Sequence, residues 1–220
     1  CGAGTHVVGG EGTAILEIGS EKVTGRLACE MDLSDASMAY ASYTRGFKPG
    51  GSNLTFGRED VIAPIVVLPI FEEETIDAYE IGLKTDLADG RVRLNGAMFF
   101  YEYDNLQYQA TDPELFQGGV GNVPESEIYG AEIELGAFLT DSLVFDARIA
   151  LLETEITASH LALDNVAGER RMNALLAQGF SKFGPEIQIA RAEEIADVEG
   201  NQLPKTPSFT ANLALSYNKS

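Results

Sequence analysis

The sequence predicts an all-β fold, an antiparallel up-and-down segment of a transmembrane β-barrel with about seven strands. Three observations support this fold class. Apolar and polar residues alternate with a period of two in seven stretches. The arms of the central hairpin exceed the roughly five to six residues of an ordinary strand, and the connections between strands alternate between short and long. The predicted strands lie at 22–31, 36–45, 75–87, 91–104, 126–139, 143–151 and 209–217.

The first predicted hairpin follows a stretch, 1–21, that is rich in glycine and lacks sustained alternation, so we assign that stretch no structure. In 22–31, Val23 and Leu27 share one face with the other odd-numbered residues. After a short turn, 36–45 forms the returning strand. Both faces of that strand carry aromatic or small residues, so the pattern alone does not orient it.

The first long connection spans 46–74. Its apolar core, VIAPIVVLPI at 61–70, contains two prolines and is too short to span a bilayer as a helix. We therefore expect a loop that folds onto other loops.

The central hairpin, TIDAYEIGLKTDLADGRVRLNGAMFFYEYD at 75–104, shows the clearest alternation. Tyr79, Ile81 and Leu83 fall on one face, and a tight AspGly turn at 88–90 leads into a second arm of the same kind. A tilted membrane-spanning strand needs about 9 to 11 residues. Taken alone, the hairpin fits a soluble β-sandwich equally well.

The remaining chain repeats the pattern. A second long connection is predicted at 105–118, and a tight turn at 140–142 joins the next two strands. The third long connection, 157–206, contains residues spaced as on one face of a short amphipathic helix, namely Met172, Leu175, Leu176 and Phe180.

The sorting of the connections separates a barrel from a sandwich. The short turns fall at one end of the predicted sheet and the long connections at the other. Transmembrane barrels have short periplasmic turns and long extracellular loops, whereas a soluble sandwich has no reason to sort its loops in this way. The sequence therefore favours the barrel.

Composition excludes several classes of function. The formal charge of −19 argues against nucleic-acid binding, which needs a basic patch. His6 and His160 lie far apart with no ligands at metal-binding spacing, and no catalytic set of residues is present, so we expect no metal site, no cofactor and no enzymatic activity.

Cys1 and Cys29 give no disulfide framework. Cys1 is open to two interpretations, a lipid-modified residue or the arbitrary start of a segment.

Four strings resemble the barrel of TonB-dependent outer-membrane receptors. They are YASYTRGFKPGG at 40–51, ETIDAYEIGLKTDLADGRVRLNGAMFFYEYDNLQ at 74–107, NVPESEIYGAEIEL at 122–135 and GNQLPKTPSFTANLALSY at 200–217. The resemblance covers 22–217. It implies part of a plugged barrel of about 22 strands in the bacterial outer membrane, which binds a scarce ligand outside and imports it.

The resemblance also implies partners. They are outer-membrane lipid, a ferric siderophore or another small ligand, and the TonB energy-coupling complex, which acts through a plug domain absent from this chain. We expect the chain to be an internal segment with a truncated end at 218–220. The alternatives are a saccharide or cobalamin receptor of the same family, or a non-transporting acidic β-sheet protein that binds at a surface.

Two sets of residues are candidates for function under this resemblance. Cations suit an anionic ferric chelate and aromatic rings suit its planar groups, so the ligand-binding candidates at the loop starts are Arg45, Phe47, Lys48, Tyr108 and Phe116. The polar face of the strands is expected to line the lumen, where its charges pair with each other or with a plug, through Glu80, Lys84, Arg91, Arg93, Glu132, Glu134, Asp146 and Arg148.

Overall fold

The computed structural model describes residue 19 and residues 21–53, 70–112, 117–182 and 184–218. Within these ranges the strands and helices follow in chain order: β1 (Gly25–Ser34), β2 (Ser37–Lys48), β3 (Gly51–Ser52), β4 (Ile70–Phe71), β5 (Glu74–Leu87), β6 (Val92–Asp112), β7 (Gln117–Phe138), β8 (Leu143–Ile156), β9 (Leu161–Leu163), α1 (Asn165–Ala177), α2 (Pro185–Ala192), β10 (Ile195–Asp197) and β11 (Phe209–Tyr217). Neither helix is long and apolar enough to cross a membrane.

Seven long strands form one antiparallel sheet in the order β1-β2-β5-β6-β7-β8-β11. Each long strand pairs with the long strand before it in the chain, so the sheet is an up-and-down meander. This confirms the predicted all-β barrel segment of about seven strands. The sheet is not closed among the described residues, and β1 and β11 form its two edges.

The short elements belong to the long connections. Strands β3 and β4 pair within the β2–β5 connection, and β9 and β10 pair within the β8–β11 connection together with both helices. The predicted helix is present as α1, in which Met172 is buried. Phe180 lies beyond it, because the helix ends at Ala177 and Gly179 follows with a φ of +92°.

The prediction of a second long connection at 105–118 is wrong. Instead of a loop at 105–118, β6 continues to Asp112 and pairs with β7 from Gln117 onward. The ladder is interrupted only opposite Pro124, where Asn105 has a φ of +54°. This left-handed residue changes which side chains share a face, so the sequence alternation breaks although the two strands continue.

The register gives the sheet one apolar and one polar face. Cross-strand partners line up Ile81 with Met98 and Met98 with Ala131, so the alternating residues of each strand meet their counterparts. The side chains of Ile81 and Met98 are 57% and 61% exposed, although they are fully apolar. The apolar face is formed by Leu27, Met31, Ala39, Ala41, Tyr43, Tyr79, Ile81, Leu83, Leu94, Met98, Phe100, Tyr129, Ile133, Leu135, Phe145, Ile149, Leu151, Leu213 and Leu215.

An aromatic row bounds the apolar face toward the long connections. The row consists of four successive cross-strand partners, Tyr43, Tyr79, Phe100 and Tyr129. The centroid of the Tyr79 ring lies 5.2 Å from that of the Tyr43 ring and 6.4 Å from that of the Phe100 ring. From Phe100 to the end of the strand at Val92 is roughly 27 Å at about 3.4 Å per residue, or roughly 20 Å of height after the usual tilt. That height is comparable to the apolar band of an outer-membrane barrel.

Charged residues begin on the same face immediately beyond the aromatic row. The next row of cross-strand partners consists of Arg45, Asp77, Glu102, Glu127 and Glu155. Charge is costly inside hydrocarbon and tolerated at its boundary, and this change marks one edge of the apolar band.

The main buried cluster lies beyond that boundary, at the end of the sheet with the long connections. Val123, Ile156 and Leu203 form its centre, and Leu106 and Tyr108 pack against it from β6. Because the apolar face of the sheet is exposed, this cluster is where the third connection gains its own packing.

Two aromatic rings on the polar face lie flat on glycines of the neighbouring strand. Phe99 is the direct partner of Gly130, and Tyr40 is the direct partner of Gly82. A Cβ at Gly130 would lie 2.7 Å from Cζ of Phe99 and would also overlap the carbonyl oxygen of Leu151. These glycines therefore allow the rings to pack against the sheet.

We expect Gly130→Ala to destabilise the folded protein by about 1 to 3 kcal/mol, because the added methyl group overlaps a backbone carbonyl that cannot move aside. The matched control is Gly136→Ala in the same strand, where the new Cβ would meet only the Asp146 carboxylate, at 3.6 Å. Urea unfolding of the full-length protein in lipid vesicles measures the difference. Equal unfolding midpoints for the two variants would contradict the packing described for Gly130.

Candidate functional site

The candidate site lies at the end of the sheet with the long connections. It is built around the part of the β6–β7 hairpin beyond the ladder break, residues 105–112 and 117–124, which we call the hairpin tip. The base of the β2–β5 connection and the β8–β11 connection both pack against this tip. The tip thus holds together the segments that the sequence places in separate loops.

Side-chain amides attach the β2–β5 connection to the hairpin tip. Nε2 of Gln107 donates to the carbonyl oxygens of Pro49 at 2.9 Å and Glu72 at 3.0 Å. Asn122, the direct partner of Gln107, accepts from the backbone N–H of Glu72 at 2.8 Å and donates to its carbonyl at 3.1 Å. The two stems of this connection are therefore fixed at one place.

Two further contacts fix the same base. Asn53 donates to the carbonyl of Val120 at 2.7 Å and accepts from its N–H at 2.8 Å, as a paired strand residue would. The carboxylate of Glu74 is buried and accepts from Nζ of Lys48 at 2.9 Å and from the backbone N–H of Gln107 at 2.7 Å. A buried carboxylate needs such partners, because an unpaired charge there would be costly.

The β8–β11 connection packs through the buried cluster. Leu203 is buried in one cluster with Val123 and Ile156, and its backbone N–H donates to Oγ1 of Thr154 at 3.0 Å. Ile156 is also bonded through its backbone to Asn201 and Gly200, at 2.9 and 2.8 Å. Apolar packing and backbone bonds therefore hold this connection against the end of β8.

His160 lies where the same connection meets the hairpin tip. Its ring is perpendicular to that of Tyr108, with 6.0 Å between the centroids, and its Nε2 is enclosed with no hydrogen-bond partner in the described ranges. Burial lowers the pKa of His160 below its ordinary value, and the nearby Asp197 carboxylate opposes that shift. The neutral imidazole is thus the form that fits this position.

Asp197 stabilises the turn of chain beside His160. Its carboxylate accepts from the hydroxyl of Ser159 at 2.7 Å and from the backbone N–H of His160 and Glu199 at 3.0 and 3.1 Å. These bonds lower the pKa of Asp197, the Ser159 hydroxyl most strongly. Asp197 therefore stays ionised under mildly acidic conditions.

The helices of the third connection have a small core of their own. Met172 of α1 and Ile187 and Ala190 of α2 are buried. Arg171 joins the end of this unit through ion pairs with Glu193 and with Glu194, the latter at 2.8 Å. The connection is thus a folded unit and not an open loop.

The structure distributes the predicted ligand-binding residues over more than one surface. Arg45 and Phe47 share the register of the apolar face beyond the aromatic row, and Arg45 lies 3.6 Å from Asp77. Lys48 has the opposite register and pairs with Glu74, while Tyr108 packs in the buried cluster. Phe116 lies outside the described residues.

The residues predicted to face the lumen share the polar face, with Arg91 in the turn that leads into β6. Several are paired: Arg93 with Asp86 at 2.8 Å, Arg148 with Glu134 at 3.3 Å, and Arg91 with Asp141 at 3.2 Å. Asp146 lies on the same face two residues before Arg148. Whether this face lines a lumen stays a prediction.

A cavity of about 540 Å³ opens on the polar face. It is lined by Glu80, Lys84 and Glu132 together with the rings of Tyr40 and Phe99. The Tyr40 hydroxyl donates to Glu80 at 2.7 Å, and the Lys84 ammonium lies 5.4 Å from the centre of the Tyr40 ring. Sequence analysis missed Tyr40 because its strand could not be oriented.

The described ranges contain no group of three or more His, Cys, Asp or Glu side chains arranged to hold a metal ion.

Comparison with known proteins gives a consistent result. The sequence profile of the family described as "TonB dependent receptor-like, beta-barrel" matches residues 8–220. A probable TonB-dependent siderophore receptor, PiuA of Acinetobacter baumannii, is 26% identical over 200 residues, which cover 90% of this chain and 23% of the relative. The chain thus spans about a quarter of the length of that curated relative.

Solved structures share the fold. The crystal structure of PiuA from Acinetobacter baumannii superposes with a TM-score of 0.55 at 23% identity, over 88% of this chain and 23% of that one. The ferric yersiniabactin uptake receptor FyuA from Yersinia pestis gives 0.54 at 19% identity, over 88% and 22%. The copper transporter OprC gives 0.56 at 14% identity, over 89% and 24%.

We expect Asn122→Ala to release the base of the β2–β5 connection, because it removes the acceptor for the Glu72 N–H. A net hydrogen bond contributes about 1 kcal/mol, so the Glu72 amide should exchange its hydrogen roughly 5-fold faster in hydrogen–deuterium exchange. Asn95→Ala, which removes an amide from the polar face, is the control. The same exchange rate at Glu72 in both variants would show that Asn122 does not fix this stem.

Proposed function

Since this chain belongs to the TonB-dependent receptor family and matches its β-barrel, we propose that it forms part of the wall of a receptor that binds a ferric siderophore and imports it. Members of this family are bacterial outer-membrane receptors and transporters, not enzymes, and this chain is a bacterial outer-membrane protein.

The observation that carries this proposal is the division of the sheet into two faces with a bounded apolar band. The apolar face meets outer-membrane lipid between the aromatic row and the short turns, and the polar face lines the lumen. The edges β1 and β11 pair with further strands of a closed barrel, because hydrocarbon offers no partner for backbone N–H and C=O groups.

The ligand class is supported by the relative at 26% identity, which is named as a probable siderophore receptor. The proposed capture surface is the end of the sheet with the hairpin tip, where the long connections converge. Import proceeds through the TonB energy-coupling complex, which acts on a plug held inside the barrel.

Charges on the polar face are proposed to contact the plug. Glu80 is partly satisfied by the hydroxyl of Tyr40, and Glu132 lines the same cavity without a cation beside it among the described ion pairs. Carboxylates at the edge of such a cavity suit basic side chains of an inserted domain.

The direct test uses the native host with the whole receptor gene deleted. We expect the deletion to reduce uptake of radioactive iron from a ferric siderophore under iron limitation, and complementation by the full-length gene to restore it only when TonB is present. A panel of chelates identifies the substrate. Unchanged uptake of every ferric chelate, with loss of growth on a saccharide or cobalamin, would replace siderophore import by one of those activities.

Register separates the predicted ligand-binding cations. Lys48 has the register of the polar face, whereas Arg45 has that of the apolar face. We expect Lys48→Met in the full-length receptor to weaken binding of an anionic ferric chelate about 10-fold, the equivalent of about 1.4 kcal/mol. Arg45→Met is the matched control and should change affinity by less than about 2-fold.

Because Lys48 also pairs with the buried Glu74, the double variant Lys48→Met with Glu74→Gln separates contact from distortion. Isothermal titration calorimetry measures all three affinities. If the double variant recovers the wild-type affinity, Lys48 acts through Glu74 and does not contact the ligand.

A further inference from the structure

One titratable side chain, that of His160, lies in the contact between the third connection and the hairpin tip. His160 stands at the base of the β9–β10 pair, and its backbone is tied on both sides: its N–H donates to Asp197 at 3.0 Å, and its carbonyl accepts from Val198 at 2.9 Å. These bonds fix the backbone that carries the ring, so the contact of the ring with Tyr108 holds the base of this pair against the hairpin tip. The position of the ring and the position of the connection are coupled.

The enclosed Nε2 makes this contact sensitive to protonation. In the neutral ring Nε2 lies against the hairpin tip without a hydrogen-bond partner in the described part of the chain. When the neutral ring carries its hydrogen at Nδ1, a proton at Nε2 would add a donor and a positive charge where the described residues provide no hydrogen-bond partner. An enclosed charged donor without an acceptor is strongly unfavourable.

We propose that the third connection is a pH-sensitive strap, closed on the hairpin tip while His160 is neutral and released when His160 gains a proton. The strap consists of residues 157–164 and 195–203. Release moves the β9–β10 base away from Tyr108, so that Nε2 reaches water.

The groups around His160 determine the direction of the effect. Tyr108 faces it from β6 and stays neutral in this pH range, while Asp197 faces it from β10 and favours the protonated ring. Glu127, Glu155 and Glu199 line one open cleft with Asp197. Burial outweighs the Asp197 carboxylate, since the pKa of His160 is lowered in the folded chain.

Because the pKa of His160 is lowered in the folded chain, acid destabilises the closed strap. The contribution of His160 to the closed state is complete above the ordinary histidine pKa of about 6.5 and declines as the pH falls below it. Opening breaks the contacts of Val198 and Leu203 in the buried cluster but none of the ladders of the seven-stranded sheet, so acid raises the frequency of opening without unfolding the sheet. The largest effect arises if His160 gains a proton only in the open state. In that limit the ratio of open to closed strap would be ~30-fold higher at pH 5.0 than at pH 7.5.

Hydrogen–deuterium exchange of the full-length receptor in lipid nanodiscs tests the strap. Exchange is measured at pH 7.5 and 5.0 and corrected for the intrinsic pH dependence of amide exchange. We expect protection of the strap to fall at pH 5.0, by up to the ~30-fold limit above, while the amides of β5 and of β6 below the tip keep theirs.

His160→Phe keeps a ring against Tyr108 that cannot gain a proton, and should stay protected at both pH values. His160→Gln provides a second non-titrating variant in case the phenylalanine disturbs folding. His6→Gln, which removes the other histidine of this chain, is the control and should behave as wild type. Equal protection of the wild-type strap at the two pH values, or a wild-type pH response in either folded His160 variant, would overturn the proposal.

Discussion

Backbone hydrogen bonding inside hydrocarbon is the constraint on which the rest of this structure depends. Each N–H and C=O in the membrane needs a partner within the protein, and a sheet provides one only to strands that have a neighbour on both sides. The long ladders from β1 to β11 meet this requirement for the five inner strands, because the break in the β6–β7 ladder lies beyond the aromatic row. The same requirement explains why the irregular segments lie beyond the aromatic row, where water or other loops can satisfy the backbone.

The division between the sheet and the connections beyond the aromatic row also determines which side chains pack against other parts of the protein. In the proposed barrel wall, the apolar face contacts lipid and not protein, so it needs no interior core. The connections have no lipid to cover them, and they therefore build a core from Val123, Ile156 and Leu203 and a second one between the two helices. Amide side chains such as Gln107 and Asn122 stabilise the β2–β5 connection by hydrogen bonding to its backbone. The connections therefore have packing and hydrogen bonds of their own, separate from the ladders of the sheet.

The sequence allowed the strand number, the order of the sheet and both faces of the central hairpin to be predicted, because period-two alternation follows directly from strand geometry. It failed at Asn105, where one left-handed residue shifts the alternation and makes a continuing strand look like a loop. It also failed to orient β2, whose small residues carry no pattern until its pairing with β5 is known. For the site, Arg45, Phe47 and Lys48 lie at the end of β2, where the first long connection was predicted to begin, whereas Tyr108, predicted in the second long connection, lies within β6. The contacts of Lys48 with Glu74 and of Tyr108 with His160 join residues 26 and 52 positions apart, and no local pattern reports them.

The central claim is that the apolar face meets lipid and the polar face meets an aqueous lumen. Spin labels placed singly at each position from 93 to 102 of the full-length receptor in outer-membrane vesicles test it most directly. The account predicts that collisions with oxygen, which concentrates in lipid, peak at 94, 96, 98 and 100, that collisions with a water-soluble nickel complex peak at 93, 95 and 97, and that 102 contacts water. Labels that report the same environment at odd and even positions, or lipid at 93 and 95, would contradict a membrane-spanning wall.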